Sequence, residues 1–170
     1  MGTGDGEVSL VEATEKDAEA FAHFFRRAWE EAGPGAAGFT GASDEVIAEL
    51  TTPRAFRKRI GGPDRRMFLA REDDRVIGFA STRRISEDSV ELSGIIVLRS
   101  HGGQGVGTAL LENTIAAATA DGYGTMLVET ETTNSRAQAF YENSGFAVDG
   151  AGTERVDDAD VELLRLSRVL

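Results

Sequence analysis

At 170 residues the chain fits one domain, large enough to bury roughly 70% of its unfolded surface, with ordinary hydrophobic (41%) and charged (28%) fractions. A net charge of −11, from 29 Asp and Glu against 18 Lys and Arg, repels phosphate backbones and sets nucleic acid aside as a partner. The lack of cysteine excludes disulfides, thiolate metal sites and a cysteine nucleophile, and the two histidines, His23 and His101, are too far apart to suggest a metal.

Only Lys16 and Lys58 among the basic residues are lysines, and the acids are scattered rather than blocked. This composition resembles that of halophilic proteins and leads us to expect a salt-tolerant acidic surface. The longest apolar run, Ile95 to Leu98, is too short to span a bilayer. The opening MGTGDGEVSL has neither a basic n-region nor an apolar h-region, so a cytoplasmic protein without membrane contact is expected, with residues 1–7 as a flexible start.

Val8 to Val11 reads as a first strand, and Ala13 to Ala32 as an amphipathic helix. Thr14 is placed to cap it, and Ala18, Phe21, Ala22, Phe25 and Trp29 share one face. The glycines and proline of Ala32 to Ala42 make a loop. A second helix is expected from Ser43 to near Gly61. Three strands follow, Met67 to Arg71, Val76 to Arg83 and Val90 to Leu98; the tight turn Glu72 to Arg75 joins the first two. Then come a helix from Gln104 to about Asp121, a strand Thr125 to Thr130 and a helix Ser135 to Ser144. Strands Phe146 to Val148 and Val161 to Val169 close the chain around a polar loop. That order predicts an α/β (α+β) domain: a mixed, mostly antiparallel twisted sheet of about seven strands with helices on both faces.

Two stretches carry chemistry. In the first, a strand ends and Gly102, Gly103, Gly105 and Gly107 cluster where a helix begins. Glycines let main-chain N–H groups approach an anion, and a helix N-terminus favours negative charge. The alternative reading is a flexible turn. A Walker A loop requires a lysine that is missing here, and the alternating glycines do not match G-x-G-x-x-G, although Glu129 and Glu131 lie roughly where a ribose-binding acid sits. In the second stretch, Asn134 suits an N-cap, Phe140 and Tyr141 suit a core, and Gly145 suits a helix end.

Together these stretches resemble the GNAT superfamily of acetyl-CoA-dependent N-acetyltransferases. Gly105 and Gly107 match the last two positions of its loop, Arg or Gln, two residues, Gly, one residue, Gly or Ala; Gly102 stands where Arg or Gln is expected. Asn134, Ala137, Phe140, Tyr141, Gly145 and Phe146 match its N-x-x-A-x-x-F-Y-x-x-x-G-F segment at every fixed position.

The resemblance implies an acetyl-CoA site formed by Ile96, Val97, Leu98, Gly102, Gly103, Gln104, Gly105, Val106, Gly107, Thr108, Asn134, Ala137 and Tyr141. Arg99, His101 or Gln104 is available to replace the missing side-chain contact. Tyr141 is the implied acid for the departing thiolate, and a backbone N–H near Val97 the oxyanion donor. Gly94 is expected to mark a bulge that opens this strand from the Thr125 to Thr130 strand, making room for pantetheine.

Glu91 is the candidate general base, acting through water, or else a solvated strand glutamate. Glu129 and Glu131 are candidates to hold a cationic acceptor, in a pocket walled by Phe25, Trp29, the loop Pro34 to Thr40 and the turn between Gly150 and Asp160. The acceptor is expected to be a small-molecule amine or a protein N-terminus or lysine. The basic run Arg57 to Arg66 reads as a solvated face, or else as a place for the 3′-phosphate of CoA or an anionic acceptor. A homodimer is a family habit. The rival function is a non-catalytic acetyl-CoA-binding or regulatory module.

The acid excess generates the first prediction. The melting temperature should rise with added NaCl, because screening relieves self-repulsion; maximal stability in dilute buffer would contradict a salt-adapted surface.

Overall fold

Two continuous buried runs, 67–70 and 76–80, and one acidic turn build the first hairpin of the sheet. In the computed structural model, which describes residues 6–32, 43–156 and 158–170, strand β2 (Arg65–Glu72) runs antiparallel to β3 (Arg75–Arg84). Asp73 takes φ 53 in the turn between them, a left-handed conformation that Asp tolerates better than most residues. On the outer side β1 (Val8–Glu12) pairs with β2, and on the inner side β4 (Ser89–Val97) pairs with β3.

Strand β5 (Thr125–Glu131) lies parallel to β4, and the hairpin β6 (Ala147–Val156) and β7 (Ala159–Val169) completes the sheet through β7. The seven-stranded order is β1-β2-β3-β4-β5-β7-β6, antiparallel except at β4–β5. The expected mixed sheet with helices on both faces is therefore present.

One face is covered by α1 (Ala18–Ala32) and α3 (Pro53–Ile60), with the short α2 (Asp44–Leu50) before α3. Phe21, 1% exposed, anchors this layer: its ring meets Phe56 edge-on at 4.0 Å and Phe79 at 4.9 Å. Such T-shaped pairs are favoured by the aromatic quadrupole. The other face carries α4 (Val106–Ala120) and α5 (Ser135–Asn143). There Leu110, Leu111, Met126, Val128, Phe146 and Leu166 are buried in the core.

Three sequence expectations are corrected. The first helix begins at Ala18, after a 3-10 turn over Glu15–Asp17; the Asp17 carboxylate accepts the Thr14 N–H at 2.8 Å and so closes that turn first. The single helix expected from Ser43 is two helices, because Pro53 supplies no N–H and sits at the first turn of α3, capped by the Thr52 hydroxyl. The polar loop expected between Gly150 and Asp160 is strand over most of its length, since β6 and β7 pair as far as Val156 and Ala159. Cross-strand hydrogen bonds there outweigh the low strand propensity of its glycines and charges.

Candidate active site

The centre of the sheet is open along half its length. Strands β4 and β5 pair only over Ser89–Leu92 and Thr125–Val128. Beyond Leu92 the register of β4 against β3 slips, with Ser81 opposite Gly94 and Thr82 opposite Leu92, so Ser93 is an extra residue. A bulge of this kind bends its strand, and it falls where Gly94 marked it. Ser93 is held by its hydroxyl, 3.0 Å from the Ser81 hydroxyl and 3.2 Å from the Ser81 carbonyl. The inner edge of Ile95 to Val97 is left facing a gap rather than a neighbouring strand. Unpaired main-chain groups inside a sheet are a template for an extended ligand.

At the end of β4 a 3-10 turn, Arg99–His101, leads into the glycine loop. The Glu31 carboxylate accepts the Arg99 N–H at 2.9 Å and pins this turn to α1. Gly103 (φ 75) and Gly105 (φ 82) are left-handed, and a Cβ at either would meet nothing within 4 Å. Conformation, not crowding, is what calls for glycine here, and the space beside both is open. Gly105 is the N-cap of α4, which therefore starts at Val106 rather than Gln104. The first N–H to return into the helix is that of Ala109, to the Gly105 carbonyl at 2.9 Å. Those of Val106, Gly107 and Thr108 are the orphan donors of a helix start, reinforced by the helix dipole.

Gly107 brings three elements together. A Cβ there would lie 3.7 Å from Val97 Cγ2 and 3.8 Å from the Phe140 ring. Asn134 caps α5 by accepting the Ala137 N–H at 3.1 Å. Tyr141, one turn on, is 7% exposed and stacks between Phe140 (5.3 Å) and Phe146 (5.7 Å). Among the described residues no hydrogen bond holds its hydroxyl, and the residue lines the cleft. Burial pushes its phenol up to about 12.

One cleft of about 1420 Å³ joins these features, more than the about 300–1,000 Å³ of a site for one drug-sized ligand. Of the expected cofactor residues, Ile96, Val97, Leu98, Gly102, Gly103, Gly107, Asn134, Ala137 and Tyr141 line it. Gln104, Gly105, Val106 and Thr108 do not, and the Val106 side chain is buried in the core. Of the three candidates to replace the missing Arg or Gln, His101 is tied to Glu72 at 3.2 Å. Gln104 lies off the cleft and Arg99 lies on it.

Glu91 also lines the cleft, but its Oε2 accepts from Arg83 Nη2 at 2.6 Å and Nε at 3.0 Å. Sequence reading missed Arg83, although Arg83 and Glu91 are direct cross-strand partners. Phe25, Glu129 and Glu131 line the cleft as expected, while Trp29 does not. Phe25 belongs to the aromatic cluster, 6.0 Å from Phe56. Pro34 to Thr40 lies outside the described residues. Arg59 and Arg65, from the basic run Arg57 to Arg66, line the cleft, and so does Arg136, which sequence reading missed. Among the described residues no cluster of His, Asp or Glu could hold a metal ion, and no helix is long and apolar enough to cross a membrane.

Comparison with known proteins matches this architecture. The model of the acetyltransferase (GNAT) family matches residues 23–146. Uncharacterised N-acetyltransferases of Mycobacterium bovis and Mycobacterium tuberculosis are each 33% identical to this chain over 111 residues, 65% of this chain and 70% of theirs. Among solved structures, a GNAT-family acetyltransferase of Streptococcus pneumoniae superposes with a TM-score of 0.73 at 20% identity, covering 96% of this chain and 99% of that one. A PaiA N-acetyltransferase of Thermoplasma acidophilum, solved in complex with coenzyme A, gives 0.73 at 19% identity with the same coverage of 96% and 99%.

The buried phenol has an optical consequence. The chain has two tyrosines, so in a Tyr123→Phe variant tyrosinate absorbance reports Tyr141 alone. It should stay low through pH 10 and rise toward pH 12; half-ionisation at pH 10 in the folded protein would contradict the burial. Because the folded pKa is raised, the stability Tyr141 contributes is complete below pH 10 and is lost as the pH climbs through 12.

Proposed function

The chain belongs to the GNAT family of acetyltransferases, and we propose that it transfers the acetyl group of acetyl-CoA to a primary amine by direct attack within a ternary complex. The observation that carries this reading is the gap between β4 and β5, flanked at one end by the glycine loop and along α5 by Tyr141. Acetyl-CoA is a substrate here, and its diphosphate suits the N–H groups of Val106 to Thr108. Its pantetheine suits the free edge of Ile95 to Val97. The absence of cysteine removes a thiol acyl-enzyme, and a cleft of about 1420 Å³ has room for two ligands side by side.

The balance of the reaction is simple. A C–N bond forms, the C–S bond breaks, and one proton passes from the amine to the departing sulfur. An amine of pKa about 10.4 must first lose a proton. Glu91 is the base in this reading, through its free Oε1 and one or more waters, while Arg83 holds Oε2 and sets the direction of the carboxylate. Glu129 and Glu131, on the adjoining wall of the cleft, hold the incoming cation or share that work. The N–H near Val97 faces the carbonyl oxygen as negative charge grows on it. Tyr141 keeps its proton throughout the neutral range and gives it to the thiolate as the C–S bond breaks.

Gly102 supports the alternative of a non-catalytic acetyl-CoA module, because it provides no side chain for the diphosphate. Its N–H is already spent on the Arg99 carbonyl at 3.1 Å. Arg99 remains on the cleft to supply the missing charge. Thiol release over a panel of primary amines separates the two readings: release dependent on the amine requires transfer, and protection from unfolding by CoA without any release favours the module.

Tyr141→Phe should lower kcat by about a hundredfold, as loss of a general acid does, while the dissociation constant of acetyl-CoA stays nearly unchanged. Equal turnover in variant and parent would remove Tyr141 from the chemistry. Glu91→Gln should change the pH profile of kcat/KM; a superimposable profile would pass the base role to Glu129 or Glu131.

A further inference from the structure

The end of the cleft remote from the glycine loop is unexpectedly basic for so acidic a chain. Arg65 and Arg83 are direct cross-strand partners on β2 and β3, so their side chains leave the same face of the sheet. Like charges placed this way repel. Arg83 is neutralised by Glu91, its partner on β4. Arg65 has no such relief, and Arg59, half-buried on α3, approaches from above. All three arginines line the cleft. Burial, and after it repulsion from Arg65, lowers the proton affinity of Arg59.

Among the described residues neither the Arg59 nor the Arg65 side chain forms an ion pair or hydrogen bond. Arg59 is half-buried and Arg65 exposed, and a partly desolvated cation beside a second like charge, with no ion-pair partner among the described residues, is costly unless a ligand provides one.

That ligand is not the coenzyme. Glu91, beside the cluster, and Val97, beside the loop, stand six residues apart on one strand, or about 20 Å at roughly 3.3 Å per residue. A 3′-phosphate cannot cover that distance while the diphosphate occupies the loop. The opposite wall of the same cleft carries Glu129, Glu131 and Glu154. Apart from Glu91, the acids of the cleft lie on β5 and β6 and Arg59, Arg65 and Arg83 lie on the other wall, with Arg99 and Arg136 elsewhere along it.

We propose that the acceptor carries an anionic group, a carboxylate or a phosphate, in addition to its amine, and that Arg59 and Arg65 hold this anion while the acidic wall receives the amine. The proposal rests on the acetyl-transfer reading for the fate of the amine, but not for the anion site. Glu91 and Ile95 are four residues apart, about 13 Å, so the anion lies several bonds from the reacting nitrogen. The expected class is an ω-amino acid or amino-alkyl phosphate rather than a simple polyamine.

The test is calorimetric titration of the CoA-loaded protein with ω-amino acids of increasing length, each beside its carboxamide, and with the matching ω-amino-alkyl phosphates. At least one charged member should bind about tenfold more tightly than its uncharged mate, a difference of about 1.4 kcal/mol. The Arg59→Gln/Arg65→Gln pair should bring the two within about threefold, and Arg59→Lys/Arg65→Lys should restore most of the difference. Carboxylates ahead of phosphates, or the reverse, identifies the anion.

Equal binding of charged and uncharged mates by the parent would overturn the proposal. So would discrimination that survives the glutamine pair, or a glutamine pair that weakens CoA but spares dephospho-CoA. Thiol release from acetyl-CoA, followed with the same compounds, keeps the two readings apart. Discrimination without release retains the anion site and removes transfer. Release without discrimination retains transfer and removes the anion site.

Discussion

The parting of β4 from β5 is the constraint on which the rest of the molecule depends. A sheet interior does not leave main-chain donors and acceptors facing nothing unless something else is to face them. Here the pairing stops at Leu92 and Val128, the bulge at Ser93 turns β4 aside, and the Ser81–Ser93 hydroxyl contact holds the turn. Because β5 remains fully paired with β7 on its other side, the opening cannot close by sliding. The packing on either face, aromatic under α1 and α3 and aliphatic under α4 and α5, keeps the two halves of the sheet rigid around the opening.

Each end of that opening has its own electrostatic character. The glycine loop collects partial positive charge from backbone groups, which needs no cationic side chain and is compatible with a chain of net charge −11. The remote end relies instead on full charges: Arg83 is matched by Glu91, and the Arg59 and Arg65 side chains are unmatched among the described residues. One end of the cleft thus offers backbone dipoles and the other full side-chain charges. Between the two ends Tyr141 lies almost buried among Phe140 and Phe146, and the surroundings that raise its pKa also keep the hydroxyl protonated at neutral pH.

Short-range rules explain what was legible beforehand. Element type, the sheet class, the glycine turn and the α5 segment all follow from spacing within a few residues, and so does the family. The misplaced boundaries arose where local signals competed. Pro53 split a continuous helical pattern, Asp17 closed a turn before α1 began, and long-range pairing drew Gly150 to Val156 into a strand.

By itself the sequence determined the fold class, the position of the glycine loop and the helix that carries Tyr141, because these rest on backbone conformation and on side chains within one or two turns of each other. Only the tertiary structure decided which charges meet. Arg83 and Glu91 are eight residues apart yet form one ion pair, while Arg59, Arg65 and Arg83 converge from a helix and two strands onto a single cleft. Strand register brings those groups within a few ångströms of one another, and register is set by the buried face of the whole sheet, which no local window contains.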